Sequence, residues 1–129
     1  MIETFQMIAG TVFTFESQVC QYPHVGAPGI EYFAGDVGDG RPPVNCLLWR
    51  DEQGLVRGIL NHYPVDYPPH ERAGNVNLYV HPDWGRRGIA TALMHEGERR
   101  YGLTRWDQQR YSPAGLQWML RYRGIGGVA

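Results

Sequence analysis

Apolar side chains alternate with polar or aromatic ones along residues 75–80. A period of two residues is typical of a half-buried β-strand. The apolar set consists of Val76, Leu78 and Val80. Pro82 removes a backbone donor soon afterwards, so the predicted strand ends before it.

The period changes after a short loop, residues 83–88. Small or apolar side chains then recur at the spacing of one face of an amphipathic helix. These positions are Ala90, Leu93, Met94, Gly97 and Tyr101. Charged residues occupy the opposite face, where Glu96 and Arg100 have the favourable i, i+4 spacing. The pattern therefore predicts a strand, a loop and a helix in succession.

The loop between this strand and helix has the features of an anion site. The first turn of a helix leaves backbone N–H groups unpaired, and the helix dipole attracts negative charge. Gly85 and Gly88 allow the backbone to approach a ligand closely, and Arg86 and Arg87 add cationic groups. A surface loop with two solvated arginines is the alternative, but the residues favour phosphate binding.

Two more strands, which together form a hairpin, are predicted upstream of this strand, loop and helix. Residues Val44–Arg50 and Leu55–Tyr63 both read as strands, and the polar turn between them ends at Gly54. The segment Pro64–Gly74 is rich in proline and is predicted to be a loop.

The two ends of the chain are less regular. Thr11–Phe15 has strand composition, whereas Phe15–Tyr22 favours a short helix, and a short strand is predicted at Ile30–Ala34 within the Gly/Pro-rich residues 22–43. Near the C-terminus, Ser112–Pro113 is a good helix start, and the apolar stripe of that helix extends to about Tyr122.

Length and composition restrict the class of protein. A chain of 129 residues is predicted to form one domain over residues 1–129. Its net charge of −1 argues against a bulk nucleic-acid binder, and no apolar run is long enough to cross a membrane, so we expect a cytoplasmic protein. Arginines interleave with aromatic residues near the C-terminus, but solvated arginines explain them better than a nucleic-acid face does.

The spacing of chemically active residues excludes two kinds of site. His62, His70 and His81 lack the spacing of metal ligands, so no metal site is expected. No Gly-x-Ser-x-Gly motif occurs, which argues against a serine hydrolase.

Residues 78–94, LYVHPDWGRRGIATALM, resemble motif A of the GNAT superfamily of acyl-CoA-dependent N-acyltransferases. Gly88 matches the central glycine of that motif, and Ala90 matches its final small residue. Gly85 stands where the family usually has Gln or Arg, and Arg86 stands where it often has Gly. The positive charge is therefore displaced by one residue.

Residues 112–122 resemble motif B of the same family more weakly, with Met119 at the usual tyrosine position. The resemblance implies an α/β (α+β) fold with a mixed, mostly antiparallel central sheet flanked by helices. It also implies a strand within Leu103–Arg110. The C-terminal end is short for the family, so the fold is either truncated or completed by a second copy or a partner protein.

The family's activity implies acetyl-CoA as the acyl donor and a primary amine, on a small molecule or a protein, as the acceptor. The amine attacks the thioester directly. The resemblance assigns the oxyanion and the pantetheine arm to the backbone of Leu78, Tyr79 and Val80. It assigns the pyrophosphate to Arg86, Arg87, Gly88, Ile89 and Ala90.

The catalytic side chains are the least certain part of this interpretation. His62, on the predicted third strand, is our candidate general base because histidine titrates near neutral pH, although a structural histidine is the alternative. The other nearby candidates are Asp66, His70, Glu71 and His81. Tyr122 is the candidate acid for the leaving thiolate, ahead of Tyr111.

A second hypothesis is a catalytically inactive GNAT-like protein that senses the cofactor or binds another protein. The displaced arginine and Met119 favour this hypothesis. So do Asn75 and Asn77, because the family often has an acidic base on the third or fourth strand.

Overall fold

The computed structural model describes residues 4–8, 11–35, 38, 40–69, 71–102, 117–119 and 121–122. The elements, in chain order, are β1 (Thr4–Ile8), β2 (Thr11–Thr14), α1 (Phe15–Val19), β3 (Gly29–Phe33), β4 (Asn45–Arg50), β5 (Val56–His62), β6 (Val76–Val80), a 3-10 turn (Pro82–Trp84) and α2 (Ile89–Tyr101). Residues 117–119 and 121–122 are also helical.

Four of the strands form an antiparallel sheet in the order β3-β4-β5-β6, and β1 pairs with β2 separately. The sheet and its helices confirm the predicted mixed α/β, mostly antiparallel fold. The predicted hairpin is confirmed as well, because β4 and β5 pair directly with Leu48 opposite Ile59. Asp51 closes the turn between them by accepting the N–H groups of Gln53 and Leu55 at 2.9 and 3.0 Å.

A buried arginine ties the hairpin to the chain that precedes β3. Arg50 is only 1% exposed. Its guanidinium contacts Glu31 Oε1 at 3.1 Å and donates to the carbonyls of Gly54 and Pro23 at 3.1 and 3.0 Å. These partners satisfy a charge that would be costly to bury alone. Arg50 therefore links β3, the hairpin turn and the loop after α1.

The strand β6 is confirmed, but the prediction that it is half-buried was wrong. Leu78 and Val80 pack in one core, and Tyr79 packs in a second core on the other face of the sheet. Asn75 and Asn77 are buried too, at 6% and 8% exposure. Polar side chains alternating with apolar ones normally mark a solvated face, but here amide groups are enclosed; Asn75 Nδ2 donates to a glutamate oxygen at 3.2 Å.

Helix α2 covers one face of the sheet at close range. Its residues Ile89, Leu93 and Met94 are buried against Leu60 and Leu78. Gly58 on β5 allows the helix to lie this close to the sheet, because glycine has no side chain. A Cβ at Gly58 would lie 2.6 Å from Ile89 Cγ2 and 2.9 Å from Leu93 Cδ1.

The N-terminal region combines both alternatives that its sequence suggested. Residues Thr11–Thr14 form a strand, and Phe15–Val19 form a short helix that packs Phe15 under the second core. The strand Ile30–Ala34 is confirmed one residue earlier, as β3, whereas β1 was not predicted. No helix occurs in the described part of residues 34–44. The predicted strand within Leu103–Arg110 and the helix start at Ser112–Pro113 lie outside the described residues.

We expect Gly58→Ala to lower the free energy of unfolding by about 1–3 kcal/mol, because the added methyl group overpacks a contact with no room to relax. Chemical denaturation measures this loss. The matched control is the pair Gly58→Ala with Ile89→Ala, which removes Cγ2 from the clash. The double variant should be more stable than the sum of the two single effects implies, and strict additivity would contradict this account of the packing.

Candidate functional site

The candidate site begins where β6 ends. The predicted loop between β6 and α2 starts with the 3-10 turn Pro82–Trp84, in which Trp84 N–H donates to the His81 carbonyl at 2.9 Å. The His81 ring caps this turn by accepting the Asp83 N–H at 3.1 Å. The turn follows the end of β6, and residues 85–88 connect it to α2.

The backbone of the loop adopts left-handed conformations at two positions. Gly88, the N-cap of α2, has a φ of 80°, and Arg86 has a φ of 62°. A non-glycine residue in this region costs roughly 1 kcal/mol more than glycine does. The family's frequent glycine at the position of Arg86 is thereby explained, because that position requires a left-handed backbone.

The first turn of α2 is open to a ligand. No side chain caps it, and it contains no acidic residue. A Cβ at Gly88 would meet no atom within 4 Å. The Gly88 carbonyl accepts the N–H of Ala92 at 2.9 Å, so the N–H groups of residues 89–91 precede the first intrahelical bond. These features suit a bound anion.

The two arginines of the loop differ in their surroundings. Both side chains are exposed. The guanidinium of Arg87 lies over the indole ring of Trp84, 4.5 Å from its centroid, and that of Arg57 lies 4.7 Å from the same centroid. Within the described residues no carboxylate pairs with Arg86 or Arg87.

The other predicted cofactor residues lie around this loop. Leu78, Tyr79 and Val80 are buried in the second half of β6, which leads into it. Ile89 is buried under the first turn of α2, and Ala90 is partly buried. The fold therefore brings all eight predicted cofactor residues to β6 and the adjoining N-terminus of α2.

His62 lies at the end of β5, opposite Val76 of β6. It stacks on Tyr101 of the last turn of α2, with ring centroids 4.0 Å apart and planes 10° apart. Because α2 rises about 1.5 Å per residue, this stack is roughly 20 Å along the helix from Gly88. His62 thus lies near the opposite end of α2 from residues 85–88, which we call the arginine loop.

The hydrogen bonds around His62 determine which nitrogen carries its proton. Asn45 Oδ1 accepts the Gly35 N–H at 3.0 Å, so its Nδ2 group faces His62 Nδ1 at 3.2 Å. An amide NH₂ only donates, so Nδ1 must be the acceptor and the proton of the neutral ring is on Nε2. Burial lowers the pKa of His62, which keeps the ring neutral.

Tyr122, the candidate acid, lies beside α2 and packs, partly buried, against the core that α2 forms with the sheet. Its hydroxyl donates to Glu98 Oε1, and its ring stacks on Trp118 with centroids 5.1 Å apart. It also contacts the ring of His95. Burial, and then the hydrogen bond to Glu98, raise the pKa of Tyr122. Tyr122 and His62 therefore both lie beside the C-terminal half of α2. Their side chains contact different residues of the helix, since His62 stacks on Tyr101 and Tyr122 bonds to Glu98.

The sheet face opposite α2 carries buried amide side chains, of which the sequence had drawn attention to Asn77 but not to Asn61. Asn61 and Asn77 are direct neighbours across β5 and β6. Asn61 Nδ2 donates to Gln18 Oε1 of α1 at 2.9 Å. The period-2 pattern was consistent with their sharing a face, but the contact with Gln18 spans 43 residues and has no local signal.

Glu71, one of the other candidate bases, lies in the predicted loop before β6. Its N–H and carbonyl pair with Tyr67, and its Oε1 accepts from Asn75 at 3.2 Å. Burial, and then the negative charge of Glu71, raise the pKa values of Tyr63 and Tyr79. Glu71 therefore brings a carboxylate close to the start of β6. His70 lies outside the described residues, as does Tyr111.

The described residues contain neither a metal-site cluster nor a membrane-spanning helix. No cluster of three or more His, Cys, Asp or Glu side chains with the geometry of a metal site was found there. None of the described helices is long and apolar enough to span a bilayer.

The model of the acetyltransferase (GNAT) family matches residues 12–108 of the chain. The matched range covers more than half of the 129-residue chain and includes β2 to α2 with the arginine loop. Searches of curated proteins and of solved structures gave no match. The family match agrees with the antiparallel sheet and with the strand, loop and helix of motif A. The chain therefore belongs to the acetyltransferase (GNAT) family.

Proposed function

We propose that this protein is an N-acetyltransferase that transfers an acetyl group from acetyl-CoA to a primary amine. Family membership supports acetyltransferase-type activity in general. The acetyl donor, the amine acceptor and turnover itself are our proposal for this chain.

The observation that carries the proposal is the open N-terminus of α2. It combines an uncapped first turn, a left-handed Gly88 with free space above it, and two exposed arginines without a carboxylate partner among the described residues. Backbone N–H groups and guanidinium groups together suit a pyrophosphate, which carries several acceptor oxygens. Arg86, Arg87, Gly88, Ile89 and Ala90 are the residues we propose to bind it.

The reaction that we propose is direct attack of the amine on the thioester. The amine nitrogen bonds to the acetyl carbonyl carbon, the carbon–sulfur bond breaks, and coenzyme A leaves as a thiolate. The amine gives up a proton to a base, and the thiolate takes one from an acid or from water. We assign the oxyanion and the pantetheine arm to the backbone of Leu78, Tyr79 and Val80, whose strand leads into the arginine loop.

The identity of the proton acceptor depends on two residues with different constraints. His62 can act as a base at Nδ1 only if the Asn45 amide releases that nitrogen, since Nε2 already carries a proton. Glu71 has no such constraint, because a carboxylate has several lone pairs and can take up a proton while its Oε1 accepts the hydrogen bond from Asn75. We therefore propose Glu71 as the first candidate base and keep His62 as the second. Tyr122 remains the proposed acid, with Glu98 holding its hydroxyl proton.

The second candidate function is an inactive GNAT-like protein that binds acetyl-CoA, a protein partner or both. The Asn45 bond to His62 favours it, because this bond occupies the nitrogen that a histidine base would use. Acetyl-CoA binding without thiol release in the presence of any amine would support this candidate over the enzyme.

We expect Gly88→Asp to raise the dissociation constant for acetyl-CoA by tenfold or more, because its carboxylate would lie beside the bound pyrophosphate and repel it. Titration calorimetry measures the change. The matched control is Gly102→Asp, because Gly102 caps the other end of α2 with a φ of 63° and equally open surroundings.

Both variants add one negative charge at a residue with a left-handed backbone, but only Gly88→Asp places it at the end of α2 where we propose that the pyrophosphate binds. Gly102→Asp should therefore bind acetyl-CoA nearly as well as the wild type does. Equal losses in the two variants would mean that the effect comes from helix stability. If the folded wild type did not bind acetyl-CoA, the proposed function would be wrong.

We expect the free energy of unfolding of the wild type to fall as the pH drops below about 6.5, the usual histidine pKa. Burial lowers the pKa of His62 in the folded state, so the unfolded state takes up the proton first. This contribution is complete above the unfolded pKa and is lost as the pH falls toward the folded pKa.

His62→Gln cannot titrate, so its urea denaturation midpoint should change less between about pH 7 and pH 5 than that of the wild type. Parallel slopes for the wild type and His62→Gln would show that His62 is not protonated differently in the two states.

A further inference from the structure

A chain of contacts runs from the β4–β5 turn to the arginine loop. Asp51 is buried in that turn, and its Oδ2 pairs with Arg57 Nε at 2.9 Å. The guanidinium of Arg57 lies over Trp84, and the guanidinium of Arg87 lies over the same ring. We call Asp51, Arg57, Trp84 and Arg87 the indole ladder.

The backbone and the surroundings of Trp84 hold its ring in place. The backbone N–H of Trp84 donates to the His81 carbonyl, and the backbone N–H of His81 donates to the Arg57 carbonyl, both at 2.9 Å. Trp49 of β4 approaches the indole with ring centroids 6.4 Å apart. The ring is therefore attached to the sheet through β4 and β5, and it is partly buried.

Stacking has a consequence for Arg87 that a salt bridge would not have. A ring face attracts a guanidinium through its quadrupole and uses none of its five in-plane N–H donors. A carboxylate would occupy two of those donors in a bidentate pair and would neutralise the charge. In this ladder the carboxylate, Asp51, pairs with Arg57 instead, and no described carboxylate pairs with Arg87.

We propose that Trp84, supported by Arg57, is a positioning residue that holds Arg87 over the loop for the pyrophosphate of the acyl donor. This inference rests on the proposed function. Trp84 restricts the rotamers of Arg87 before the ligand arrives, so less conformational entropy is lost on binding. Arg86 has no such ring contact among the described residues, which makes Arg87 the preorganised member of the pair.

A double-variant cycle tests the proposal by acetyl-CoA calorimetry. Trp84→Leu should weaken binding by about threefold to tenfold, and Arg87→Gln by about tenfold or more. The double variant should bind like Arg87→Gln alone, because the ring acts only through the arginine. Trp84→Phe keeps an aromatic face and should restore most of the affinity that Trp84→Leu loses.

Two results would overturn the role of Trp84. One is an equal loss from Trp84→Leu in the wild-type and Arg87→Gln backgrounds, which would mean that the ring supports the fold rather than the arginine. The other is wild-type affinity in Trp84→Leu. Absence of binding by the wild type would instead overturn the proposed function itself, and the role of Trp84 with it.

A measurement on the unaltered protein covers the case in which Trp84→Leu does not fold. In the nuclear magnetic resonance spectrum of the free protein, the side-chain protons of Arg87 should show the ring-current shift of a stacked indole, and those of Arg86 should not. Addition of acetyl-CoA should move the Arg87 Nε–H signal. Identical, unshifted side-chain signals for the two arginines would contradict the ladder.

Discussion

The contact of Gly58 with Ile89 and Leu93 is the constraint on which the rest of the site depends. Ile89 is the first residue of α2 and is buried, so the start of the helix packs on the sheet. A Cβ at position 58 would lie 2.6 Å from Ile89 Cγ2, so a side chain there would displace the first turn of the helix. The packing of α2 and the position of the proposed anion site are therefore coupled through one glycine.

The two faces of the sheet divide the chemistry. The face under α2 is mostly apolar and ends at residues 85–88, whereas the opposite face carries the buried amides of Asn61 and Asn77 and leads toward Glu71. A buried amide is stable only if it is hydrogen-bonded, as Asn61 is to Gln18. In the proposed function, the backbone of β6 binds the pantetheine arm and residues 86–90 bind the pyrophosphate. Arg87, if Trp84 holds it as we propose, would meet the donor at its phosphate end.

The parts of the fold that the sequence predicted well are those with a local period. The alternation along β6, the i, i+3, i+4 stripe of α2 and the Asp51–Gly54 turn each depend on near neighbours, and each was confirmed. Half-burial of β6 was a wrong prediction because alternation reports side-chain polarity, and Asn77 is polar and buried at once. The left-handed backbone at Arg86 explains why the family often has glycine at this position, which the sequence could register but not explain.

The contacts that shape the candidate site were beyond sequence reasoning because they join distant residues. Asn45 is 17 positions from His62, and the Trp84 ring meets Arg57 from another strand. No periodicity reports a tautomer or a stacked cation. Family resemblance supplied the eight cofactor residues, and the fold gathers them at β6 and the start of α2. The candidate base and acid, by contrast, were chosen from residue type and predicted element alone.

The most direct test of the central claim is a coenzyme A titration of the isotope-labelled protein, followed by the backbone amide signals. The account predicts that the largest shifts occur at residues 86–91, where unpaired N–H groups and left-handed backbone meet. Signals at Gly102, the same residue type at the other end of α2, should change little. No shifts at residues 86–91 at saturating coenzyme A, or shifts centred on the C-terminal end of α2, would contradict it.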